Sequence, residues 1–121
     1  MEQYYAYFRK PRQHLFVKIT EPYSLKWAFS FLQEFADICK QEHLEKALID
    51  GLNLEGPISI WDRYQIGEEF VRVVGPKIKV ALVGKRDLID LTMENVVVNR
   101  SGRFKVFHEM ESALKWLEES E

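Results

Sequence analysis

Cysteine occurs once in this chain of 121 residues, at Cys39. A lone thiol excludes an internal disulfide, so stability has to come from an ordinary core. A charge excess is missing too. Seventeen basic residues against nineteen acidic leave a formal net charge of −2, which removes the basic footprint that a nucleic-acid partner requires. No uninterrupted apolar run approaches the ~20 residues of a membrane helix. The histidines, His14, His43 and His108, are scattered, and with a single cysteine they offer no metal-ligand spacing. The chain contains no GxSxG, no GxGxxG and no phosphate-binding loop. It has no internal repeat, low-complexity segment or linker. The opening MEQYYAYFRK lacks the basic-then-apolar pattern of a signal peptide. These absences lead to the expectation of one soluble, cytoplasmic domain over residues 1–121, with no metal and no cofactor.

What is present is a globular composition, 46% hydrophobic and 30% charged. Eight Phe, five Tyr and three Trp are more aromatics than so small a core easily buries, so some are expected at or near the surface.

The local patterns predict a β-β-α-β-α-β-α-β-α order. Tyr4–Phe8 has strand character, and Arg9–Gln13, broken by Pro11, reads as a hairpin connection. In His14–Thr20 the apolar Leu15, Val17 and Ile19 alternate with polar residues, as in a half-covered strand. Phe16 sits on the polar side, so that face is not wholly wet. Pro22 ends the strand and Ser24 is placed to cap a helix running to about Gln41. Its apolar stripe of Leu25, Ala28, Phe29, Leu32, Ala36 and Cys39 is widened by Trp27, Phe31, Phe35 and Ile38. That arc exceeds the roughly 100° of an ordinary surface helix. Either the helix is wedged against other elements, or a Trp27/Phe31 edge stays open for a partner, a second copy or an apolar ligand.

Ala47–Asp50 is apolar until its last residue, as in a strand covered on both faces. A second helix spans Ser59–Val74. Gly67 inside it costs about 1 kcal/mol relative to Ala, which close approach of the helix to the sheet would offset. Gly75-Pro76 stops it. Ile78–Val83 is a buried strand, Leu88–Asn99 a third helix ended by Ser101-Gly102, Phe104–Phe107 a last strand and Glu109–Glu119 a terminal helix. Alternating strands and helices after an opening hairpin give an α/β class: a small mixed β-sheet with helices packed on it, its later strands joined by right-handed parallel crossovers. Sites in such sheets favour the carboxyl ends of the strands. Here these are Asp50 with the Gly51–Ser59 bend, the basic turn Gly84–Asp87, and Phe107-His108.

The stretch Ala47–Gly67 collects the candidate polar residues. Asp50 ends a strand and is placed to accept N–H groups from its own bend. Ser59 stands where a helix N-cap belongs. Asp62 in the first turn suits the positive end of the helix dipole. Arg63 is placed either to pair with Asp50 or another loop acid, or to bind an anion. No nucleophile–base pair can be named, and Cys39 lies on an apolar stripe, where a thiol is a small core residue.

The ordered pieces ALIDG, EGPISIWDRYQIGE, KIKVALVG, ENVVVNRSGRFKVF and ESALKWL resemble the STAS superfamily, and within it the SpoIIAA-like or STAS/SEC14 group of small bacterial proteins. The resemblance implies a four- or five-stranded mixed sheet, helices mainly on one side, and the first strand at an edge. It implies a binding or regulatory module rather than an enzyme. In the anti-anti-sigma members, a Ser at the start of the helix after the third strand is phosphorylated, and the matching position is Ser59. A helix N-terminus suits a phosphate. The match departs from that motif, because Ile58 and Ile60-Trp61 replace an Asp before the Ser and a Ser-Gly after it.

Two functions from different classes follow. The first is a non-enzymatic regulatory or protein-binding module acting through Ser59 and its neighbours Asp50, Asp62 and Arg63. The second is a carrier or sensor of a small apolar or lipid-like ligand, contacted by Trp27, Phe31 and Trp61. A cavity lined by Trp27, Phe31, Phe35, Met93 or Val97 is the feature expected of the second. Exposed aromatics on the first helix would also suit a homodimer.

Overall fold

In the computed structural model, residues 4–9, 14–20, 22–87 and 90–119 are described. The order is β1 (Tyr4–Arg9), β2 (His14–Ile19), α1 (Leu25–Gln41), β3 (Lys46–Gly51), α2 (Ile60–Val73), β4 (Lys79–Gly84), α3 (Leu91–Asn99), β5 (Arg103–Phe107) and α4 (Met110–Glu118). The strands form one sheet in the order β1-β2-β3-β4-β5. β1 runs antiparallel to β2, and every later pair is parallel. The expected hairpin connection beyond Arg9 lies outside the described residues.

This order decides where the helices go. From β2 to β5 the sheet is wound in one direction, and right-handed crossovers then place every connecting helix on the same face. One core cluster accordingly joins α1, α2 and α3 to that face, through residues such as Phe35, Phe70 and Val97 with Val17, Ile49 and Val80. The opposite face is left for α4, which packs Ala113 and Leu117 on Leu48, Ala81 and Val83. Phe16 packs against this second cluster, so the polar-looking side of β2 is partly covered.

α4 is fastened by charge as well as by packing. Lys46 and Lys79 are register partners that open β3 and β4. Lys46 Nζ donates to the carbonyl of Leu117 at 2.6 Å, and Lys79 Nζ to those of Trp116 at 2.8 Å and Glu119 at 3.1 Å. Two ammonium groups thus meet the negative end of the helix dipole and satisfy its last carbonyls. Lys79 also lies over the Trp116 ring, 4.5 Å from its centroid.

Two expectations need correction. The third helix starts at Leu91 rather than Leu88, because the Asp90 side chain accepts from Thr92 N–H at 2.9 Å and caps it there; Leu88 and Ile89 lie outside the described residues. Gly67 makes its close approach to a helix and not to the sheet. A Cβ there would stand 3.0 Å from Val96 Cβ and 3.3 Å from the Met93 carbonyl, so α3 presses on α2 at this point.

Candidate functional site

The carboxyl halves of β2, β3 and β4 end beneath the first turns of α1 and α2. The space between is not filled. An apolar cavity of about 70 Å³ lies there. Its floor is Ile19, Ile49 and Leu82 from the strands, and its far end reaches Met93 and Val97 of α3. Trp27 and Phe31 of α1 and Phe70 of α2 form its sides. Leu54 and Ile58, from the bend between β3 and α2, close it on the loop side.

The mouth can be located by exposure. Among the lining residues only Tyr23, Trp27 and Ile66 are part-exposed, while the rest are buried. The opening therefore lies between the entrance to α1 and the first two turns of α2. One hydrogen bond spans it: the Tyr23 hydroxyl donates to Asp62 Oδ2 at 2.7 Å. Burial, then Asp62 as acceptor and as a negative charge, pushes the Tyr23 hydroxyl above its ordinary pKa of 10.0.

The sequence candidates are distributed as follows. Trp27 and Phe31 line the cavity with their rings stacked, centroids 5.4 Å apart. Phe31 is only 5% exposed while Trp27 is part-exposed, so the wide stripe of α1 is largely wedged against its neighbours, the first of the two readings. Phe35, named with them, stacks on Phe31 but lies behind the wall. Trp61 is elsewhere. It stands 67% exposed beside Ile60 at 68%, stacked on Tyr64 at 5.7 Å. The exposed large apolar side chains among the described residues are Ile60, Trp61, Leu91 and Val98; none is on α1, whose Trp27 and Phe29 are part-exposed.

The polar candidates have separate partners. Ser59 Oγ accepts from Asp62 N–H at 3.0 Å, as an N-cap, and the residue is exposed. Asp50 Oδ1 accepts from Leu52 N–H at 3.1 Å, within its own bend. Arg63 Nη1 donates to Asp90 Oδ2 at 2.6 Å, joining the first turn of α2 to the cap of α3. Arg63 is thus committed to an acid on a neighbouring loop, and that acid is Asp90 rather than Asp50. These pairings fix the helix starts that surround the cavity, and they assemble no acid–base pair.

Tyr23, Ile58 and Ile66 were not singled out by the sequence. Tyr23 had a signal: it immediately precedes the N-cap Ser24, where a large side chain packs back on the first turn of its helix. Ile58 had the same signal, standing just before the N-cap Ser59; Ile66 had none, since only the packing of α2 brings it to the mouth.

A broader depression of about 400 Å³ lies by β5 and α4, at Lys79, Glu94, Arg103 and Trp116. Its Lys79 is already engaged by the end of α4. Among the described residues, no group of three or more His, Cys, Asp or Glu could hold a metal ion. No helix among them is long and apolar enough to cross a membrane.

No protein-family model and no curated protein matches the chain. A solved structure does: a protein of the DUF3478 family from Shewanella loihica, with a SpoIIAA-like fold. It is 20% identical, with a TM-score of 0.56, over 94% of this chain and 91% of that one. At that identity the likeness is one of fold, and the fold of this chain is SpoIIAA-like.

Proposed function

We propose that this chain is a non-enzymatic binding module that carries or senses a small apolar ligand in the cavity beneath α1 and α2. The cavity is the observation that carries the reading. Interiors are close-packed, with few voids larger than a water. A void needs only ~10–15 Å³ of such space to admit a water, and this one offers about 70 Å³. Apolar cavities stay dry and take up apolar molecules. The wall presents neither carboxylate nor imidazole nor thiol to a bound molecule; among its side chains the Tyr23 hydroxyl is the titratable group, and it is turned to Asp62. Those features support binding rather than chemistry.

The test is native mass spectrometry of the purified protein, with NMR titration of benzene as the probe. A copurified apolar molecule, or benzene-dependent shifts confined to cavity residues, is the expected result. Filling the space with Ala28→Phe should abolish both. Wild-type protein that neither copurifies a ligand nor responds to benzene would sink the reading.

One observation favours a second reading, in which the module is regulatory and works through protein contacts at the start of α2. Ile60 and Trp61 are exposed directly beside the exposed Ser59 hydroxyl. A partner would bury those two side chains, and a phosphate on Ser59 would add roughly −1.5 to −2 charges at their edge. Partner recovery unchanged by both Ser59→Asp and Ser59→Ala would remove this reading.

A further inference from the structure

We propose that the ligand of this cavity is a single unbranched hydrocarbon chain, threaded in end-on with its polar head left at the mouth. The inference rests on reading the cavity as a ligand site, and it adds the shape and class of the ligand.

The lining strands give the cavity its direction. Ile49 and Leu82 are register partners on β3 and β4. On β2 the lining residue is Ile19, two positions past Val17, which pairs with Ile49. On β5 it is Phe104, two positions before Val106, which pairs with Leu82. The void therefore runs diagonally beneath the helices, from the carboxyl end of β2 to the amino-terminal half of β5. Ile19 and Phe104 are separated by three strand spacings across the sheet and two plus two residues along it, roughly 14 Å by 13 Å.

The volume then sets the width. About 70 Å³ holds roughly five to seven water-sized spheres at ~10–15 Å³ each. Spread along such a path they form a single file, and a methylene group is of comparable size. A branched or globular body has no room.

The two ends differ. Met93, Val97 and Phe104 are buried and close the far end. Tyr23, Trp27 and Ile66 are part-exposed and open the near one. The wall between them presents no polar surface, so a polar group drawn inside would be left without a partner. The Tyr23–Asp62 pair marks where polar surroundings resume. A straight-chain amphiphile meets both conditions, with its methyl end at Phe104 and its head in water beside Tyr23.

The test titrates primary alkanols, 1-butanol to 1-decanol, into the protein with NMR as the readout. Affinity should rise about fourfold per added methylene, the value of one buried CH₂. Once the chain fills the cavity the rise should level off, because further carbons stand in water. Phe104→Leu withdraws the closed end and should move the plateau to a longer alkanol. The branched isomer of 1-hexanol, 3,3-dimethyl-2-butanol, should bind about tenfold more weakly after correction for partition between water and octanol, the cost of overpacking a close wall. A branched isomer that binds as well as 1-hexanol, an affinity independent of chain length, or loss of binding in place of the plateau overturns this inference while leaving the cavity reading intact. So does uptake of benzene with no alkanol bound. Failure of every alkanol and of benzene to bind overturns both.

Discussion

The Tyr23 hydroxyl and Asp62 Oδ2 meet at 2.7 Å across the mouth of an apolar cavity. One belongs to the residue before the cap of α1, the other to the first turn of α2, and they are 39 positions apart in the chain. The bond is a latch between two helix starts.

Tyr23→Phe should leave the fold intact and lower its stability by about 1.5 kcal/mol, the low end for a hydrogen bond to a charged acceptor because the pair is only part-buried. It should also speed exchange of a bound probe, measured by NMR line shape. The alkaline behaviour gives a separate check. The folded-state pKa of Tyr23 lies above its unfolded value of 10.0. Its contribution is therefore fully present below pH 10 and is lost as the pH rises beyond it, because the unfolded chain releases the proton first. In urea unfolding, wild type should lose more stability than Tyr23→Phe between pH 8 and pH 11. Equal losses would show that the latch is not formed in solution.

Arg63 and Asp90 should be coupled in a double-mutant cycle. Asp90 is 43% exposed as a side chain and Arg63 12%, so screening limits the coupling to about 0.5–1 kcal/mol. Desolvation pushes the Asp90 carboxyl up, but hydrogen bonds from Thr92 and the Arg63 guanidinium outweigh it and hold the carboxyl below its ordinary 3.8. A depressed carboxylate contributes stability above its unfolded pKa and loses it as the pH falls through the folded one. Asp90→Asn should accordingly flatten the acid limb of the stability profile below pH 4. An acid limb identical to that of wild type would count against the pair.

Gly67→Ala should destabilise the protein although Ala is the better helix former. The propensity gain is about 1 kcal/mol. Against it, the new methyl would sit 3.0 Å from Val96 Cβ and 3.3 Å from the Met93 carbonyl, and overpacking of this kind costs typically 1–3 kcal/mol. A net loss of roughly 1 kcal/mol is expected by chemical denaturation, and Val96→Ala in the same chain should recover part of it. A stabilised Gly67→Ala would mean that α2 and α3 do not approach so closely.

Cys39 should resist alkylation in the native state. It is buried on α1, and burial pushes its thiol up to about 12. The thiolate is the nucleophile, so iodoacetamide at pH 8 should label the unfolded chain and spare the folded one. Rapid native labelling would show that this side of α1 opens readily.

Most of the fold was legible because its signals are local. The alternation Leu15, Val17, Ile19 marks a strand, Ser24 and Ser59 cap the helices that follow them, and Gly75-Pro76 stops one. Errors arose where local signals compete. Leu88, Leu91 and their neighbours continue an apolar pattern, but the Asp90 carboxylate caps Thr92 and starts the helix after it. The width of the α1 stripe was legible and its meaning was not. The same apolar arc suits a wedged helix and an open one, and only the position of α2 and the sheet distinguishes them.

The sequence by itself determined the order of the elements and the polarity of each face, since periodicity and capping act within a few residues. It also placed Trp27 and Phe31 among the residues worth testing. Tertiary structure alone decided that they share a cavity with Ile58, Ile66 and Met93, that Trp61 stays outside it, and that Arg63 pairs with Asp90. The cavity is a mismatch of shape among side chains from four strands, three helices and two loops, and no stretch of sequence contains that mismatch. It exists only once right-handed crossovers have laid α1, α2 and α3 side by side on one face of the sheet.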